Sequence, residues 1–99
     1  MAVLALFTGP ISKAQYESLR KNVNREGILA PGGIVHAASF DDHDHAHVAD
    51  VWESAEALNT FVQTRLMPAM QKLGVAPPTV SVYPLHNLNI TKAGEQYRI

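Results

Sequence analysis

The chain of 99 residues contains no cysteine. Disulfides, a thiolate nucleophile and cysteine-ligated zinc or iron–sulfur sites are therefore excluded, and a reducing compartment is expected. Charge is scarce as well: Asp, Glu, Lys and Arg make up 17% of the residues, against about 25% in an average protein. Less surface is thus committed to water, which favours its burial against a second subunit. Neither sign is in surplus, since eight Lys and Arg face nine Asp and Glu with no basic cluster. No electrostatic footprint for nucleic acid or for an anionic membrane results. The apolar stretch Met1 to Phe7 lacks a basic lead and is shorter than the core of a signal peptide. No later run approaches the roughly 18 apolar residues of a membrane span. The expectation is a cytoplasmic protein with the content of one ordinary domain, 46% of its residues being hydrophobic.

The apolar run Ala2 to Phe7, closed by Thr8-Gly9-Pro10, has the pattern of a central strand covered on both faces. Ser12 and Gln15 stand at the spacing of a reciprocal helix cap, and Tyr16, Leu19 and Val23 recur at helical period before Gly27. A first helix from Lys13 to Arg25 is predicted. After Pro31-Gly32-Gly33, the segments Ile34 to Phe40 and His45 to Trp52 flank the polar apex Asp41-Asp42-His43-Asp44, a hairpin signal. Ser54 as cap, Glu56 in the first turn and the stripe Leu58, Phe61, Val62, Leu66, Ala69, Met70, Leu73 predict a second helix ending near Gly74. Pro68 should bend it, and Pro77-Pro78 enforce its stop. Thr79 to Leu88 reads as strand four, with Pro84 pointing to an edge position or a bulge.

The order βαββαβ is that of a ferredoxin-like α+β domain, an antiparallel sheet with both helices on one face. It occupies residues 1–88. The remainder, 89–99, is a polar tail ending in Tyr97 and Ile99, either disordered or packed across a dimer. Strand one and Val48, Ala49, Val51 and Trp52 of strand three are apolar without clean alternation, so the face away from the helices should also be covered. In a chain with no third layer the cover must be a second copy, hence a homodimer.

Five places are candidates for chemistry. If the hairpin is centred on His43, residues whose numbers sum to 86 face each other, and His36 lies across from Asp50. A carboxylate there would hold the imidazole in one tautomer and make it a better base for a phenolic or carbon-bound proton. A register slip of one residue would instead put them on opposite faces. Trp52 at the end of strand three can wall a cavity and donate its indole N–H to a ligand oxygen, or simply fill the core. On strand four His86 is a second base candidate, and Tyr83 or Asn87 a ligand contact; satisfied groups in a dimer interface are the plainer alternative. The run His43-Asp44-His45-Ala46-His47 has His-x-His spacing, yet it starts at a solvated hairpin apex, so no metal is expected. Arg65 among the apolar positions of helix two is either a partner for an anion or a snorkelling side chain.

Asp50-Val51-Trp52-Glu53-Ser54 followed by Phe61 and Arg65-Leu66-x-Pro68 resembles the strand-three to helix-two region of antibiotic-biosynthesis-monooxygenase-like proteins, of the dimeric α+β barrel superfamily. Gly9-Pro10-Ile11-Ser12 with Tyr16, His36-Ala37-Ala38 and Pro84-Leu85-His86-Asn87 are similar too, so the resemblance spans most of residues 3–88. It implies a homodimer with a cavity between sheet and helices in each subunit. Some members oxidise polycyclic phenols without metal or flavin, the deprotonated substrate itself activating oxygen; others degrade haem. The haem-degrading pattern needs an Asn on strand one and a His on helix two, and neither occurs here. The aromatic-oxidising pattern places an Asn four residues before the Trp, where this chain has Val48, so only Trp52 carries over. The resemblance thus implies a small-molecule-binding dimer, a cofactor-independent monooxygenase for an apolar or aromatic compound. The alternative is a non-catalytic ligand-binding or interaction domain.

Overall fold

The computed structural model describes residues 1–23 and 30–97, the side chain of Tyr97 excepted. Four strands, β1 (Val3–Gly9), β2 (Gly33–Phe40), β3 (Ala46–Trp52) and β4 (Thr79–Pro84), form one antiparallel sheet in the order β2-β3-β1-β4. Helix α1 (Lys13–Val23) follows β1. The second helical segment follows β3 and has three parts: α2 (Ala55–Phe61), a π-helical stretch (Val62–Leu66) and α3 (Met67–Leu73). This is the ferredoxin-like α+β arrangement, with β1 central and the proline-bearing β4 at an edge. In the tail, Lys92–Tyr97 forms a 3-10 turn. The expected end of helix one at Arg25 and Gly27 and the terminal Ile99 lie outside the described residues.

Local signals act as their chemistry requires. Ser12 N–H donates to Gln15 Oε1 at 3.0 Å while Gln15 N–H donates to Ser12 Oγ at 3.1 Å, a complete reciprocal cap. Ser54 Oγ accepts from Ala57 N–H at 3.0 Å and starts α2. Gly74, left-handed at φ 68°, ends α3. Pro68 has no N–H, and its ring crowds the carbonyl one turn back. The preceding turn loosens accordingly, Met67 N–H reaching back five residues to Val62 O. The expected bend is thus a π turn. Strand four stops at Pro84 rather than Leu88 because β1 begins at Val3, so the last link of this ladder is Leu85 N–H to Ala2 O at 2.9 Å. Gly32 adopts φ +88°, and a Cβ there would lie 2.6 Å from Ala57 Cβ, so only glycine fits this turn beneath Trp52.

The register sorts the sheet into two faces. Val3, Ala5 and Phe7 share the helix face with Trp52, and with Leu58 and Ala30 they form one buried cluster. A second cluster joins Ile11, Leu19, Ala46, Ala69, Met70 and Val75, and Leu66 packs against both. On the other face Tyr83, Leu4, Val51 and Val35 make one row across all four strands. Val51 in this row is buried within the chain, whereas Tyr83 and neighbouring Leu6 are exposed. No helix among the described residues is long and apolar enough to cross a membrane.

Candidate functional site

Between the two clusters, sheet and helices leave a cavity of about 110 Å³, near the size of a single small aromatic ring. Most of its lining is apolar, with Phe7, Val48, Phe61, Leu66 and Met70 prominent. The π turn brings Phe61 and Leu66 to the same wall although they are five residues apart.

One wall is polar. The hairpin register sets His36 opposite Asp50, matching the count about His43. Their side chains meet, Nδ1 lying 2.6 Å from Asp50 Oδ1. The other carboxylate oxygen of Asp50 accepts the Trp52 indole N–H at 3.1 Å. On the far side of the imidazole, Nε2 is 2.7 Å from the Tyr16 hydroxyl of α1. Four side chains from three elements thus make a continuous chain, Tyr16–His36–Asp50–Trp52. Asp50 is 4% exposed and keeps both oxygens engaged, as a buried carboxylate must. Because it can only accept when ionised, the neutral imidazole carries its proton on Nδ1 and offers a lone pair at Nε2. In that neutral form the Tyr16 hydroxyl is the donor in the bond to Nε2. Burial raises the pKa of Tyr16; Arg20, one turn along α1, opposes the rise, and Glu17 and Asp50 add to it.

Of the residues singled out in the sequence, His36, Asp50 and Trp52 come together at this cavity. The indole N–H expected to meet a ligand oxygen is instead given to Asp50, and the Trp52 ring packs on Phe61 at 5.1 Å between centroids. Trp52 is a core residue and a cavity wall at once. His86, Tyr83 and Asn87 do not line the cavity; all three are exposed, Tyr83 on the face away from the helices. Tyr83 pairs with Leu4 and so faces away from the cavity, while His86 and Asn87 lie beyond the end of β4 at Pro84. Arg65 is also exposed and borders a shallow groove with Asn22, Thr64 and Lys72.

At the hairpin apex, Asp41 Oδ1 accepts the backbone N–H of His43 and His45 at 2.9 and 3.1 Å, and Oδ2 lies 2.8 Å from His47 Nε2. These bonds, the one from His47 first, lower the Asp41 pKa from 3.8 to about 2. Asp44, left-handed at φ 59°, accepts Lys13 N–H at 3.0 Å and so ties the apex to the start of α1. Among the described residues no three His, Asp or Glu side chains are grouped to hold a metal ion.

Tyr16 and Arg20 also line the cavity, and no strong sequence signal marks either for it. Tyr16 is legible as an apolar-face position of α1 and as part of the family resemblance, and neither gives a sign of which strand its hydroxyl reaches. Arg20 is on the same face one turn later, a cation within an otherwise apolar stripe, which is a weak signal in itself.

No family model matches the chain, and no curated protein matches it in sequence. Solved structures do. The chain is similar to the NE2512 protein of unknown function from Nitrosomonas europaea, with 15% identity, a TM-score of 0.66 and coverage of 92% of this chain and 96% of that one. It is similar to a candidate antibiotic biosynthesis monooxygenase from Chloroflexus aurantiacus at 17% identity and a TM-score of 0.62, over 92% of this chain and 100% of that one. It also matches a point mutant of SnoaB, a cofactor-independent oxygenase from Streptomyces nogalater, at 15% identity and a TM-score of 0.59, over 88% and 93% of the two chains. At such identities the fold is what is shared, and it is the fold implied by the resemblance.

Proposed function

We propose that this protein binds a small apolar or aromatic molecule in the cavity between sheet and helices and oxidises it without metal or flavin. The observation that carries the reading is the chain Tyr16–His36–Asp50–Trp52 set into one wall of an apolar cavity. A hydrogen-bonded imidazole held in one tautomer by a buried carboxylate is suited to take up a proton from a weakly acidic ligand. The ligand anion then supplies the electrons, with molecular oxygen as oxidant. His36 is the base, Asp50 orients it, and Trp52 holds Asp50 while forming the cavity wall. The fold shared with a cofactor-independent oxygenase supports this chemistry by analogy.

The protein acts as a cytoplasmic homodimer in this reading. Tyr83 and Leu6, both exposed on the open sheet face, support a second copy there. His86 and Asn87, exposed in the single chain, then belong to the periphery of that interface rather than to the base machinery.

Oxygen uptake with phenols of one to three rings tests the proposal. Turnover is expected for ligands near one ring in size, and His36→Ala should lower it by about 10²–10⁴-fold in protein that is still folded by circular dichroism, the Asp50 oxygen left unpaired lowering the melting temperature as well. A His36→Ala protein that keeps turnover overturns the base. Ligand binding with no oxygen uptake would leave a non-catalytic binding domain.

A further inference from the structure

The hydrogen bonds around His36 leave its basic nitrogen pointing at Tyr16 rather than at the open cavity. Nδ1–H is committed to Asp50, and the lone pair of Nε2 accepts the Tyr16 hydroxyl at 2.7 Å. The two rings are nearly parallel, at 2° with centroids 6.1 Å apart, so the O–H can approach along the in-plane lone pair. We propose that Tyr16 is the residue that exchanges a proton with the ligand, His36 standing behind it as the proton's destination, and that Arg20 holds the ligand anion so formed. This rests on the reading of the cavity as a ligand site.

The step balances. A ligand O–H bond breaks as its proton passes to Tyr16 Oη, the Tyr16 O–H bond breaks as that proton passes to His36 Nε2, and the products are a ligand anion and an imidazolium paired with Asp50. After donating to Nε2, the hydroxyl oxygen still has lone pairs to accept with, and Tyr16 lines the cavity. Its ring is packed as well as bonded: it meets Phe40 edge-on at 5.6 Å and 77°, and the reciprocal cap of α1 lies immediately before it. The charged and titratable groups around Tyr16 are Arg20 and Glu17 from α1, His36 from β2 and Asp50 from β3. With burial keeping the hydroxyl protonated at neutral pH, Tyr16 works as a relay and not as a standing tyrosinate.

Arg20 is the one Lys or Arg among the described residues that line the cavity. Its pairing with Glu17 is loose, at 3.5 Å between half-exposed side chains, so the guanidinium can turn to an anion at the mouth. A cation beside the proton-transfer group favours the state in which the ligand is ionised. The ligand class that fits is a compact apolar ring bearing a weakly acidic hydroxyl directed towards α1.

Para-nitrophenol is the probe, because its ionised form absorbs in the visible, and Trp52, the single tryptophan, reports binding by its emission. Below the probe's own pKa, wild-type protein should bind it with the phenolate-to-phenol ratio raised about tenfold over free solution, one unit of pKa. Tyr16→Phe should still quench Trp52, with circular dichroism unchanged, but hold the probe as neutral phenol. Arg20→Gln should lower the ionised ratio by about two- to fivefold, and Arg20→Lys should restore part of it. A Tyr16→Phe protein that ionises the probe as wild type does makes His36 the direct base and overturns the relay. Binding of the neutral phenol alone by wild type does the same. No quenching of Trp52 at millimolar probe overturns the ligand-site reading itself.

Discussion

Among the described residues two histidine–aspartate pairs of nearly equal length lie in opposite surroundings. His36 and Asp50 meet at 2.6 Å on the helix face of the sheet, with Asp50 buried and its second oxygen held by Trp52. His47 and Asp41 meet at 2.8 Å at the hairpin apex, where both are exposed and Asp41 spends its other oxygen on the backbone of His43 and His45. Bond length therefore does not distinguish a buried cavity wall from a turn. What differs is the cost of leaving a group unpaired, which is high where water is excluded and small where water can substitute. Asp50 must orient the imidazole beside it; Asp41 shapes a loop.

The largest expected contrast is in stability. Asp50→Ala orphans the Trp52 indole N–H and the His36 Nδ1–H, at roughly 1–3 kcal/mol for a buried donor, and should lower the melting temperature by on the order of 10 °C. Asp41→Ala should lower it far less, because solvent replaces the lost acceptor. Equal losses in thermal melts would erase the distinction drawn from burial.

Acid unfolding gives a smaller contrast. The Asp41 pKa is lowered from 3.8 to about 2, so the folded protein binds fewer protons there than the unfolded chain does. Its contribution is fully present above pH 3.8 and is lost as pH falls towards 2. Denaturant midpoints measured across that window should fall with a shallower slope in Asp41→Asn than in wild type. Identical slopes would mean the apex bonds do not hold in solution.

The smallest effect sharpens the same point at the helix it touches. Asp44→Ala removes the acceptor for Lys13 N–H at the start of α1, an exposed bond, and should change stability by about 1 kcal/mol or less. A much larger loss in urea titrations would show that the apex, not the capping pair Ser12 and Gln15, sets the position of α1 and hence of Tyr16.

Much of the fold was legible along the chain because its signals are local. The Ser12–Gln15 and Ser54 caps, the stop at Gly74 and the edge position imposed by Pro84 depend on groups a few residues apart, and all are present. The pairing of His36 with Asp50 was legible too, since a symmetric hairpin fixes register by counting from its apex. Strand four was less so. Its extent depended on where its partner β1 begins, a fact that Thr79 to Leu88 does not contain.

The sequence by itself determined the order of elements, their caps and the register that joins His36 to Asp50, because each rests on short-range hydrogen bonding and side-chain period. Only the tertiary structure decided that the Trp52 N–H turns inward to Asp50, that His86 stands clear of the cavity, and that Tyr16 reaches His36. The docking of α1 over the sheet is set by the packing of Leu19, Ile11, Ala46 and Met70 together. No single segment encodes it, since it is a sum of non-local contacts that exists only once the layers have closed.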